Sequence, residues 1–126
     1  MTAAALRWAI VIVDLDPTVG HEQQGRRALV VSYEPFHRSG LVTVCPITTR
    51  QARYPGDVPI PRGHAGQTKD GLILAHQVRT IDLRRVTTFE VLGSRQYLTD
   101  RAVRRHVRAA LAHHLGLDIS GAADGA

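Results

Sequence analysis

A chain of 126 residues with 44% hydrophobic residues fits one globular domain around a single core, and no composition break suggests a second. Its 16 Lys and Arg against 11 Asp and Glu give a formal charge of +5, which favours an anionic partner, nucleic acid ahead of a membrane surface. One cysteine excludes an internal disulfide framework, and no apolar run is long enough to span a bilayer.

Residues Met1 to Leu6 carry no basic stretch ahead of a long apolar segment, so a cytoplasmic protein is expected. The runs Trp8 to Val13 and Leu29 to Val31 are continuously apolar, as in strands covered on both faces. The connection between them holds Asp14, Pro17, Gly20, His21, Glu22, Gln23, Gly25, Arg26 and Arg27, more polar chemistry than a turn needs. It reads as a binding or catalytic loop on a β scaffold.

After the turn Arg38-Ser39-Gly40 comes an alternating strand from Leu41 to Thr48, in which Cys45 is expected as a buried small hydrophobe. The segment Asp57 to Ile60 contains Pro59, which confines it to a sheet edge. A Gly-rich connection leads to a fifth strand over Leu72 to Val78, and a last strand is expected over Val86 to Leu92. Short strands with turn residues between them predict a small barrel.

A helix follows. Thr99 is the expected N-cap, with Asp100 in the first turn, Leu98 and Val103 as a hydrophobic staple and Gly116 as the C-terminal cap. Its apolar stripe is Val103, Val107, Leu111 and Leu115, opposite Arg101, Arg104, Arg105 and Arg108, which read as a solvated face. The fold class is therefore mainly β with a C-terminal α-helix. The core is expected over about residues 7–117, with a flexible tail from Asp118 to Ala126.

Among the seven histidines, His113 and His114 point apart on the helix and the others form no ligand-spaced pair, so no metal site is expected. No serine lies in a nucleophile elbow, and no phosphate loop is present. What remains is a set of polar residues at strand ends: Arg27, Thr48, Thr49, His76, Gln77, Arg79, Thr80 and Asp82. In a small barrel these can share a rim with the first loop. Such a set suits phosphodiester chemistry on RNA, whose own 2′-hydroxyl supplies the nucleophile. The blander alternatives are a local Arg79–Asp82 ion pair, and turn hydrogen bonds for Gln23 and Gln77.

The ordered motifs Val13-Asp14-Leu15-Asp16-Pro17, Gly20-His21-Glu22-Gln23-Gln24-Gly25, Arg27 before an apolar strand, Pro46-Ile47-Thr48 and Gln77-Val78-Arg79-Thr80-Ile81-Asp82 resemble the MazF/PemK (Kid) toxins. The likeness spans about residues 8–117. It implies an SH3-like barrel of the CcdB/MazF type, working as a homodimer that cleaves single-stranded mRNA at specific sequences, without the ribosome, a metal or any other cofactor. The products it implies carry 2′,3′-cyclic phosphate and 5′-hydroxyl ends. It also implies a MazE-like antitoxin with an acidic C-terminal segment, and binding of operator DNA only as the toxin-antitoxin complex.

Carried over residue by residue, the resemblance makes Arg27 and Thr48 catalytic. Glu22, Gln23, Gln77 and Arg79 become substrate contacts, beside Thr49, Arg50 and Arg53 in the flanking segments. Three departures from the family pattern stand out. Ala28 follows Arg27 where proline is usual, Trp8-Ala9 replaces Gly-Asp before the first strand, and His76 takes a position that is acidic in several members. The general base is thus open: His21 or His76, whose ordinary pKa is about 6.5, or neither of them. Two other functions also remain open: a CcdB-like gyrase poison without enzymatic activity, and a catalytically inactive homologue that binds RNA or antitoxin.

Overall fold

The computed structural model describes residues 4–14 and 25–117. Seven strands form one antiparallel sheet: β1 (Ile10–Val13), β2 (Arg26–Val30), β3 (Leu41–Thr48), β4 (Asp57–Ile60), β5 (Gly71–Leu74), β6 (Arg79–Asp82) and β7 (Val86–Thr88). Their order is β4-β5-β3-β2-β1-β7, with β6 also on β3. The long β3 organises this arrangement. Its first half, Leu41 to Val44, pairs with β6, and its last residues, Ile47 and Thr48, pair with β5. One strand thus belongs to two sheet segments, which curls the structure around a barrel-like interior.

Alternation along these strands sends side chains to two separate cores. Ile10, Leu29, Cys45 and Ile47 pack with Val58, Ile60, Ile73 and Leu98. The intervening Val11, Val13, Ala28, Val30 and Val44 pack with Val42 and Ile81 on the other face. Both faces are buried, which is what the continuous apolar runs require. Cys45 is fully buried in the first core, and that burial pushes its thiol pKa up to about 12. At the edge, β4 pairs with β5 alone and leaves Pro59 exposed, so the missing N–H costs no ladder bond.

Several boundaries differ from the sequence expectation. The first strand begins at Ile10 because Trp8 turns the chain, adopting a φ of +68°. Its N–H donates to Val30 O, while Leu98 N–H donates to Trp8 O, so Trp8 ties β2 to the segment before the helix. The expected fifth strand stops at Leu74. Ala75–Gln77 form a 3-10 turn, fixed by an Ala75 N–H bond to Gly56 O, and a separate strand, β6, follows. The last expected strand splits into β7 and a small hairpin of β8 (Glu90–Val91) and β9 (Ser94–Arg95), where Leu92 and Gly93 turn with φ of +52° and +79°. A 3-10 segment over Glu34–Ser39 was not expected.

Helix α1 (Arg101–Leu115) packs on β4 and the Ala75–Gln77 turn. Its N-cap is Asp100 rather than Thr99, with the carboxylate accepting from Val103 N–H at 2.9 Å. That shift takes Leu98 and Val103 out of staple register, although both join the first core. Val107 is buried and Leu111 partly so, yet Leu115 is 58% exposed. Steps of four residues rotate about 40° beyond a full turn, so three steps carry Leu115 about 120° off the stripe.

The arginine face is not simply solvated. Arg104 Nε donates to Leu98 O, and the guanidinium carbons of Arg7, Arg104 and Arg108 lie 5.1–5.4 Å from the Trp8 ring centroid. Burial, followed by the charges of Arg108, Arg7 and Arg101, lowers the Arg104 pKa.

Candidate active site

Arg27 enters the site through strand alternation. It sits two residues before Leu29, so its side chain leaves β2 on the face of the first core, and it stops half-buried at the rim. There the guanidinium carbon lies 4.3 Å from the Phe89 ring centroid, and Nη1 donates to Gln67 Oε1 at 3.2 Å. Thr48 ends β3, where Leu72 of β5 pairs with it. Both residues line one open cavity of about 310 Å³ with Arg26, Thr49, Gln67 and Lys69.

Three cations, the hydroxyls of Thr48, Thr49 and Thr68 and an amide therefore line a space in which no described lining residue is a carboxylate. Such a set is suited to an anion with several oxygens. Thr49 also lines an adjoining cavity of about 400 Å³, with Arg50, Pro59, Pro61, Asp70 and Leu72. Together the two spaces give a path longer than one phosphate.

Gly25, just before β2, is sterically required: a Cβ there would run into Ile12 Cγ2, so the chain enters β2 by close backbone approach. His21, Glu22 and Gln23 lie outside the described residues.

Other expected site residues fall elsewhere. Arg50 holds the fully buried Asp57 side chain with two hydrogen bonds, Nη1 to Oδ2 at 2.8 Å and Nη2 to Oδ1 at 3.0 Å. The same carboxylate accepts from the Arg53 and Tyr54 N–H groups at 2.7 and 3.0 Å. Arg50, with those backbone donors, holds the Asp57 carboxyl well below the usual carboxylate range. The Arg50 fork is thus engaged in holding the 50–57 segment, while the Arg53 side chain is exposed.

His76 belongs to this second centre. Its Nδ1 stands 3.7 Å from Asp57 Oδ1 without a hydrogen bond, and its ring packs against Tyr54 at 5.0 Å. It faces a different cavity, of about 340 Å³, with Tyr54, Gly56, Ala110, His113 and His114. The fold does not bring His76 to the Arg27 cavity.

Gln77 and Arg79 are exposed and do not line the Arg27 cavity. Asp82 pairs with Arg84 instead of Arg79, through contacts of 2.8 to 3.0 Å that lower its pKa to about 2.

Sequence reasoning missed Gln67, Lys69 and Phe89. Gln67 lies in a Gly-rich connection where a neutral polar residue reads as turn chemistry, and Phe89 interrupts a polar stretch with no periodic signal. A second constellation is also present: Ser32 Oγ shares a 2.6 Å hydrogen bond with His37 Nε2, and His37 Nδ1 is 3.3 Å from Glu34 Oε2. It resembles a nucleophile triad, but Ser32 Oγ also accepts from Thr43 N–H, and Glu34 accepts from the Leu6 and Arg7 N–H groups. These bonds make it a tie between the N-terminal segment, the 3-10 turn and β3.

Among the described residues no three His, Cys, Asp or Glu side chains group as metal ligands, and no helix is long and apolar enough to cross a membrane.

Residues 6–115 match the family described as PemK-like, MazF-like toxin of type II toxin-antitoxin system. The endoribonuclease toxin ChpB of Escherichia coli is 43% identical over 81 residues, which cover 61% of this chain and 69% of ChpB. An endoribonuclease MazF from Staphylococcus saprophyticus is 34% identical over 115 residues, covering 88% of this chain and 91% of the relative. Among solved structures, a MazE-MazF crystal structure from Deinococcus radiodurans superposes with a TM-score of 0.68 at 30% identity, covering 88% of this chain and 95% of that one.

Proposed function

Since the chain belongs to the PemK-like, MazF-like family of type II toxins, we propose that it is a sequence-specific, ribosome-independent endoribonuclease that cuts single-stranded mRNA with its own side chains. The observation that carries this reading is the cavity in which Arg27 and Thr48 meet, lined among the described residues by three cations and no carboxylate. In the proposed reaction the base takes the 2′-hydroxyl proton as O2′ attacks phosphorus. The P–O5′ bond breaks as O5′ takes a proton from water and the base later releases its own, so the strands end in a 2′,3′-cyclic phosphate and a 5′-hydroxyl.

Arginine is a poor base, with a pKa above about 12, so Arg27 donates to the non-bridging oxygens and the departing O5′ as charge builds on the phosphorane. Thr48 donates its hydroxyl to the same phosphate. His76 faces another cavity, which supports His21 of the first loop over His76 as the base.

Thr49 and the adjoining cavity take the neighbouring nucleotide. Glu22 and Gln23 read bases from the loop, and the exposed Arg53, Gln77 and Arg79 serve the flanking strand. Curled β proteins of one fold host unrelated functions, so the fold alone does not separate this reading from a gyrase poison. A cationic cavity that brings Arg27 and Thr48 together with Arg26 and Lys69 favours phosphate chemistry.

The working form is a cytoplasmic homodimer. The cationic cavity also fits the acidic segment of a MazE-like antitoxin, in keeping with the MazE-MazF assemblies among the structural relatives. The toxin-antitoxin complex is the form assigned to operator DNA.

Incubating the purified protein with a long mRNA in EDTA tests the reading. Fragments with cyclic-phosphate and 5′-hydroxyl ends are expected. Intact RNA, or cleavage that requires an added divalent ion, would overturn it. A loss of the acid limb of the rate profile in His21→Asn, with that limb kept in His76→Asn, is expected if His21 is the base.

A further inference from the structure

Resting on the ribonuclease reading of this cavity, we propose that Gln67 is a positioning residue that, with Phe89, aims the Arg27 guanidinium through contacts carrying no charge. Gln67 is 5% exposed, a burial that an amide tolerates when it is bonded. Its backbone is held at both groups: Gln67 N–H donates to His64 O at 2.9 Å, and Gly63 N–H donates to Gln67 O at 2.8 Å. The side chain then crosses β5 at Gly71. A Cβ on Gly71 would lie 2.7 Å from Gln67 Nε2 and 3.2 Å from Thr48 O, so the glycine makes the channel through which the amide reaches the rim.

At the end of that channel Oε1 accepts from Arg27 Nη1, while Phe89 packs on the guanidinium. Both partners restrict the rotamers of a long, flexible side chain. Among the described residues no carboxylate pairs with Arg27, so the orientation is reached without neutralising the charge. A glutamate of the same shape would hold the fork more firmly and compete with phosphate for it. The neutral amide is therefore a functional choice and not merely a packing one.

Two near-isosteric variants test this in the full-length protein. Gln67→Glu keeps the size and strengthens the bond to Arg27; it is expected to fold with unchanged or higher thermal stability and to cleave at least about tenfold more slowly in single turnover. Withdrawing one cation from the RNA contact should also flatten the slope of log K against log salt for RNA binding by about 0.7. Gln67→Met removes the acceptor without adding charge. Its expected signature is a kcat about tenfold lower with KM changed less than about threefold, and an unchanged salt slope.

A merely structural glutamine would predict instead that Glu works better than Met. Wild-type cleavage and an unchanged salt slope in Gln67→Glu would overturn the proposal. Failure of the wild-type protein to cleave RNA would overturn the ribonuclease reading alone, because the salt slopes still decide whether Gln67 keeps the Arg27 charge open.

Discussion

Arg27 and Arg50 are the same residue type at the ends of neighbouring strand segments, and their partners give them opposite work. Arg50 meets a buried carboxylate in a two-pronged ion pair, reinforced by two backbone N–H donors to the same oxygen. Arg27 meets an aromatic face and a neutral amide, beside Arg26 and Lys69. Arg50 has its charge answered within the fold and organises the 50–57 segment. Among the described residues no carboxylate answers Arg27, which is oriented by neutral partners. Arginine at a rim therefore indicates function through what is missing around it as much as through its own chemistry.

Substitutions can break this contrast from either side. Arg27→Ala should have the largest effect, a loss of at least about 100-fold in RNA cleavage per folded molecule, while the orphaned Gln67 Oε1 lowers stability by about 1–3 kcal/mol in urea unfolding. Thr48→Ala removes one neutral donor to a charged phosphate, and the cleavage rate should fall about 10- to 100-fold.

On the other side, Asp57→Asn should lower stability by about 2 kcal/mol at neutral pH, measured by urea unfolding, with cleavage per folded molecule within about twofold of wild type. The Asp57 pKa is depressed in the folded protein, so its stabilisation is complete above the ordinary aspartate value of about 3.9 and is lost as pH falls below it. The gap between wild type and Asp57→Asn should accordingly close in acid, and a gap that widened there would refute the ion-pair account. Asp100→Ala, remote from both centres, should cost about 1 kcal/mol through the helix cap alone and leave cleavage intact.

The strands that bury both faces were legible because continuous apolar runs leave few alternatives, and Pro59 marked the edge. Arg27 and Thr48 were legible as strand-end polar residues, and the structure brings both to one cavity. Other features depended on geometry that has no local signature. Trp8 turns the chain through bonds to Val30 and Leu98, which are distant in sequence. The break between Leu74 and Arg79 is fixed by Gly56. Asp57 looked like the start of an edge strand, and nothing near it announced that Arg50 would bury with it. Gln67 was invisible for a similar reason: its role depends on Gly71 and Arg27, 4 and 40 residues away, meeting it at one rim.

The contrast between the two arginines is tested most directly by following their guanidinium Nε–Hε resonances by NMR while titrating a single-stranded 2′-O-methyl RNA, which binds but lacks the attacking hydroxyl. Arg27 should shift most and sharpen on saturation, while Arg50, which lines the adjoining cavity but is held by Asp57, should shift less and keep its linewidth. Movement of Arg50 with an unperturbed Arg27 would contradict the assignment of the open charge.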